Sequence, residues 1–164
     1  AAISMPPIRI IPAESPDHIT HAKSLMLEYR DSISTPLCFQ GFDTEMASLP
    51  GRYAPPTGVL LLALDGAMPV GCIALREIDP APRGRICEMK RLFVRPTHRA
   101  AGLGRALCEE LIARAKSMNY AAMRLDTDTA MTSAQRLYES LGFKDIPRYN
   151  NDPIPDTRFF ELTL

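Results

Sequence analysis

The sequence predicts a layered α/β domain built around a single sheet, and three observations carry that prediction. The chain has 164 residues, 46% apolar and 23% charged, which suits one globular domain with a core of its own. Apolar, β-prone runs alternate with stretches whose apolar residues recur every three or four positions. No repeat and no low-complexity segment interrupts this alternation, and no apolar run approaches the ~20 residues of a membrane span.

The elements follow in order. Residues 8–12 (IRIIP) form a short first strand. Ser15 then caps a helix with Pro16 in its first turn, where a missing N–H costs nothing. Leu25, Met26 and Tyr29 give that helix its apolar stripe, which fades near Ser32. A segment rich in Pro and Gly follows, long enough for a functional loop, with one short helix expected from Asp43 to Leu49. GVLLLALD and PVGCIALREI pair as a hairpin through the turn residues DGAMP. PAPRG closes that unit and ICEMKRLFV makes a fourth strand. Leu103, Leu107, Leu111, Ala115 and Met118 mark one face of the next helix. AAMRLDT is a fifth strand, SAQRLYESLGF a helix stopped by Gly142, and TRFFELTL a final strand. The order is β-α-α-β-β-β-α-β-α-β, a layered architecture with one sheet.

Charge and cysteine usage narrow the function. Nineteen basic and nineteen acidic side chains cancel, so the chain carries no electrostatic footprint for nucleic acid or an anionic membrane. No secretory leader is expected ahead of the first strand. The four cysteines, at 38, 72, 87 and 108, are far apart and lack a C-x-x-C pair. They read as free thiols of a cytoplasmic protein rather than a disulfide framework. His18 and His21 share a helix face without a third ligand beside them, so no metal site is expected.

The stretch CEMKRLFVRPTHRAAGLGRALCEEL (residues 87–111) joins a strand to an amphipathic helix through two closely spaced glycines. Gly102-Leu103-Gly104 begins like a dinucleotide fingerprint, and Asp126 closes the next strand at roughly the 20-residue spacing that fingerprint requires. Two details oppose that reading. Leu107 occupies the third small position, and Gly102 lies eight residues past Val94 where a dinucleotide turn follows its strand directly. A nucleoside-triphosphate loop needs G-K-[ST], which is missing. The blandest alternative is a tight helix start with a solvated Arg105. However, Arg99 and Arg105 bracket glycines at a helix N-terminus, whose free N–H groups and partial positive charge suit a pyrophosphate.

Arg99-Ala100-Ala101-Gly102-Leu103-Gly104 resembles the R/Q-x-x-G-x-G/A signature of the GNAT superfamily of acyl-CoA-dependent acyltransferases. EMKRLFVRP before it resembles the family's bulged strand, and AQRLYESLGFK resembles its helix with a tyrosine ahead of the last turn. The resemblance spans the whole chain in element order and residues 86–146 in detail. It implies a mixed, mostly antiparallel sheet with helices on both faces and with the fourth and fifth strands splayed apart. It also implies acetyl-CoA as acyl donor, its pantetheine amides paired with the backbone around Leu92, Phe93 and Val94. The pyrophosphate is then expected on Arg99, Ala100, Ala101, Gly102, Leu103 and Gly104, with Arg105 nearby. Two departures stand out. Ala101 replaces a frequent basic residue, and Met131 stands where many relatives carry an asparagine.

Acyl transfer to an amine needs a base, because an alkylamine of pKa ~10.4 is neutral in only about one part in a thousand at pH 7. It also needs an oxyanion donor, expected near Leu92, and a proton for the leaving thiolate. Tyr138 matches the family's proton-donating tyrosine. Glu88 is the base candidate, and equally a structural carboxylate paired with Lys90 or an arginine; Asp126 is the weaker alternative. Period-two alternation puts Glu88, Lys90, Leu92 and Val94 on one strand face. Cys87 and Cys108 lack a histidine partner, so direct attack in a ternary complex is expected. Phe39, Phe42, Tyr53 and Tyr149 are candidates to wall an acceptor pocket, or simply to close the core. Asp43, Glu45 and Asn150 offer it polar groups, and Arg52 and Arg148 leave an acidic acceptor open. The expected partner is a small-molecule or peptide amine, with a homodimer also implied by relatives. A non-catalytic acyl-CoA-binding module and a dinucleotide oxidoreductase are the rival readings.

Overall fold

A computed structural model describes residues 7–33, 41–82, 84–128 and 131–164, and only the backbone of residues 79–81. Cys38 and Phe39 lie outside the described residues. The strands are β1 (Arg9–Pro12), β2 (Val59–Asp65), β3 (Met68–Ala81), β4 (Gly84–Val94), β5 (Ala122–Thr127), β6 (Lys144–Asp145) and β7 (Arg158–Thr163). The helices are α1 (Pro16–Ser32), α2 (Phe42–Ser48), α3 (Leu103–Ser117) and α4 (Thr132–Ser140). Ser15 starts α1 as expected, its Oγ accepting the His18 N–H at 3.2 Å. The predicted order lacks β6, since two residues are too few to show a period.

One seven-stranded sheet runs β1-β2-β3-β4-β5-β7-β6, and β4-β5 is the one parallel neighbour pair among the described residues. Helices cover both faces. Leu103, Leu107, Leu111 and Ala115 of α3 bury the predicted stripe against Ile73, Leu75, Cys87 and Met89. On the other face Ala22, Leu25 and Met26 of α1 join Phe42, Cys72, Ala74 and Phe93. No described helix is long and apolar enough to cross a membrane.

Two features of β4 create the site. The first is the splay. β4 and β5 pair only at Ile86–Ala122, Cys87–Met123 and Glu88–Arg124, while β4 continues along β3 to Val94. Backbone groups of β4 beyond Glu88 therefore face an open wedge on the β5 side. The second is a bulge. Ala74 lies opposite Lys90 and Cys72 opposite Phe93, so Arg91 and Leu92 together face Ile73. Arg91 takes up the extra length with a φ of +61°.

The bulge corrects the alternation read from sequence. Cys87 and Met89 face α3, and past the extra residue Leu92 and Val94 face the same way. Lys90 lies opposite Ala74 on the α1 face, where Phe93 follows it. Glu88 and Lys90 are therefore on the opposite face from Leu92 and Val94. A strict period of two holds only while each residue has one partner across the ladder.

Candidate active site

The end of β4 leads into a tight 3₁₀ turn, Pro96–Ala101, and then into Gly102 with φ +75° at the start of α3. Such a φ is costly for any residue with a Cβ. Arg99 fastens the turn to the strand: its Nε donates to the Val94 carbonyl at 2.8 Å and its guanidinium lies 5.7 Å from the Phe93 ring. His98 ties it to the β2–β3 hairpin through a 2.9 Å contact with Asp65. No side chain caps α3. The first N–H groups of the helix thus remain available to an anion. A Cβ at Gly104 would meet only ordinary contacts, with Leu137 at 3.8 Å and Val94 at 4.0 Å, so packing within the chain does not demand a glycine there. The donor set fits a pyrophosphate held against the backbone. Arg105 turns along the surface to Glu109 and Ser140, both at 2.9 Å.

The splayed strands open on a cavity of about 120 Å³. Met89 to Leu92 of β4, Leu125 to Thr127 of β5, Met131, Ala134 and Tyr138 of α4, and Tyr29 of α1 line it. Asp152, Ile154 and Thr157, from the connection between β6 and β7, close one side. Tyr138 is 7% exposed, with its ring held edge-on against Phe143 at 5.9 Å and tilted on Phe160 at 6.3 Å. Burial pushes its phenol well above the ordinary tyrosine range, so it stays protonated. The helix that carries it ends as predicted: Phe143 N–H reaches back to the Tyr138 carbonyl at 3.0 Å and Gly142 has φ +98°.

Glu88 is 2% exposed. Its Oε1 accepts from Arg76 at 2.9 and 2.8 Å and its Oε2 from the Tyr149 hydroxyl at 2.6 Å; Lys90 Nζ is 4.0 Å away. Burial alone would raise this carboxyl. The charges of Lys90 and Arg76 and the two hydrogen bonds outweigh burial and hold it below the usual carboxylate range. Asp126, in contrast, lines the cavity itself. Its Oδ2 accepts from Asn150 Nδ2 at 2.7 Å.

The other expected residues separate. Tyr149 sits beside Glu88 with its ring edge-on to Phe159 at 5.2 Å. Phe42 is buried in the core under the Arg91 guanidinium, 5.1 Å from its ring centre. Tyr53 is buried too; its hydroxyl donates to Glu45 at 2.8 Å and its ring borders a separate hollow lined by Pro12, Pro50, Pro56 and Met118. Neither lines the cavity between the splayed strands. No local pattern announced the Arg91–Glu45 pair, with Nε and Oε2 2.8 Å apart, because the two residues are 46 positions apart. The signal that existed was two adjacent cations, Lys90 and Arg91, inside an apolar strand. Asp152, Ile154 and Thr157 carried none.

Residues 24–143 match the Acetyltransferase (GNAT) family. The chain belongs to the GNAT family. An uncharacterised N-acetyltransferase of Schizosaccharomyces pombe is 36% identical over 158 residues, 96% of this chain and 95% of that protein. Among solved structures, an acetyltransferase from Streptococcus agalactiae shares the fold with a TM-score of 0.77 at 24% identity, over 96% of this chain and 98% of the other. The NatC complex bound to Gag peptide and CoA contains a chain with a TM-score of 0.71 at 21% identity, covering 96% and 98%. As a GNAT protein the chain is an N-acetyltransferase that uses an acyl-CoA cosubstrate. The dinucleotide reading fails on geometry as well, since a full turn stands between β4 and Gly102 where that fingerprint has none.

Proposed function

We propose that the protein transfers an acetyl group from acetyl-CoA to an amine of a small molecule or peptide, by direct attack within a ternary complex. The observation that carries this reading is the open wedge beside β4: Met89 to Leu92 along it line the cavity that Tyr138 shares, and the same strand runs on into the turn before the uncapped N-terminus of α3. The cosubstrate supplies an acyl group already activated as a thioester. The chain supplies the rest. N–H groups from Arg99 to Gly104 hold the phosphates, and Leu92, Phe93 and Val94 present backbone donors and acceptors along the wedge. A β4 N–H near Leu92 stabilises the oxyanion. Tyr138, neutral and at the cavity wall, gives the leaving thiolate its proton.

For the base, the geometry favours Asp126 over Glu88. Glu88 is itself buried, has both oxygens engaged and is held ionised by Lys90, Arg76 and the Tyr149 hydroxyl, which is the setting of a structural carboxylate. Asp126 faces the cavity and keeps one oxygen, Oδ1, without a hydrogen bond to any described residue. It takes the amine proton directly or through water.

Direct attack is supported by the thiols. Cys87 and Cys108 are fully buried, and burial pushes both up to about 12, so neither presents a thiolate. Two-substrate initial rates, followed by thiol release, test this reading. Lines that intersect when both substrates are varied are the expected result. Parallel lines, or a covalent acetyl-enzyme, would replace direct attack with a two-step route.

A further inference from the structure

The connection between β6 and β7 bridges the splayed strands with two consecutive residues. Tyr149 donates to Glu88 on β4 at 2.6 Å, and Asn150 donates to Asp126 on β5 at 2.7 Å. The anchoring point is internally braced. Asn150 Oδ1 accepts the Asp152 N–H at 3.0 Å, and the Asp152 carboxylate accepts from the Ile154 N–H at 2.8 Å and the Thr157 hydroxyl at 3.2 Å. Arg148 donates to the Asp152 and Ile154 carbonyls. The same segment contributes Asp152, Ile154 and Thr157 to the cavity wall.

The chemistry at position 150 is specific. A carboxylate can only accept and a backbone N–H can only donate, so the side chain between them must donate at one end and accept at the other. A carboxamide does both. An aspartate there would set one carboxylate against another.

We propose that Asn150 is the positioning residue for Asp126: it holds Oδ2 so that Oδ1 faces the acceptor amine, and it couples the acceptor-side wall to the base. This inference rests on the reading of Asp126 as proton acceptor. Around Asp126 stand Lys90 and Arg91 of β4 and, beside Tyr149, Arg124 of β5 as cations, Asp128, Asp152 and Glu88 as anions, and Tyr29, Tyr138 and Tyr149, which burial keeps neutral. Removing a hydrogen bond from an ionised carboxylate raises the pH at which a base becomes competent, and a new negative charge beside it raises that pH further.

The test is the pH profile of kcat for wild type, Asn150→Ala, Asn150→Asp and Asp126→Asn, with each variant's melting transition in saturating acetyl-CoA as the check on folding. Asn150→Ala is expected to lower kcat by about tenfold or more through a misplaced base. KM for acetyl-CoA should stay near the wild-type value, and the acid limb should move to higher pH. Asn150→Asp should move that limb further in the same direction. Folded Asn150 variants whose acid limb stays in place, beside an inactive Asp126→Asn, would overturn the positioning role and leave Asp126 as base. An Asp126→Asn variant with wild-type rate and profile would overturn both.

Discussion

Tyr138 shows how a single residue suits the task proposed for it. Two aromatic rings hold its side chain, burial keeps the phenol protonated, and the residue lines the cavity between the splayed strands. Tyr138→Phe should lower kcat by about a hundredfold or more, the usual scale for losing a general acid. Acetyl-CoA affinity, measured by calorimetry, should be nearly unchanged because the ring remains. The thiols make the opposite prediction: Cys87→Ala and Cys108→Ala should retain intersecting kinetics and most of the activity of the folded enzyme. At this scale the sequence was informative where a motif fixed the position, as in Leu137-Tyr138 before Gly142-Phe143. It was uninformative for Phe42 and Tyr53. An aromatic residue in a loop looks the same whether it walls a cavity or, as with Phe42, fills the space beneath a buried guanidinium.

Among the elements, the bulged strand β4 has the largest consequence. Its extra residue, Arg91, has a side chain only 3% exposed and meets Glu45 of α2 through two nitrogens, at 2.8 and 3.2 Å. Helix α2 therefore braces the bulge beside the wedge proposed for the cosubstrate. Glu45→Ala leaves a buried cation short of its carboxylate and should cost about 3 kcal/mol. Denaturant melts should show that loss, and KM for acetyl-CoA should rise with it; an unchanged melt would separate α2 from the bulge. Element identity and order were legible because α1, α3 and the strands each show a clear period. The flip of faces across Arg91 was not, since a bulge is set by tertiary pairing and by a φ that composition does not reveal. Nor was β6, whose two residues pair only because β7 lies alongside.

For the whole molecule, the buried charges set how stability follows pH. Glu88 has a folded pKa below its unfolded value of about 4.3. A carboxyl so shifted stabilises the fold above that unfolded value, and its contribution disappears as pH falls through the lower folded one. Glu88→Gln should therefore melt below wild type at pH 7, with the gap narrowing as pH drops from about 4 towards 3. A constant gap would remove Glu88 from the acid response. A layered frame with one sheet was readable from periodicity, and helices on both of its faces from the family resemblance. The acceptor side was not, because the cavity draws on α1, β4, β5, α4 and the β6–β7 connection, and no local pattern joins them.

The uncapped start of α3 and the wedge beside β4 are proposed to form one site for acetyl-CoA. A thermal-shift titration with acetyl-CoA, free CoA and NAD(P)H, run on wild type and Gly102→Glu, tests it most directly. Ligand at ~100 times its dissociation constant adds about 2.7 kcal/mol, a shift of a few degrees for a domain of this size. That shift is expected for the two CoA compounds alone, and its loss in Gly102→Glu, whose side chain would bring bulk and negative charge to the proposed phosphate cradle. An undiminished CoA shift in a folded Gly102→Glu variant, or a shift with the nicotinamide cofactors alone, would contradict it.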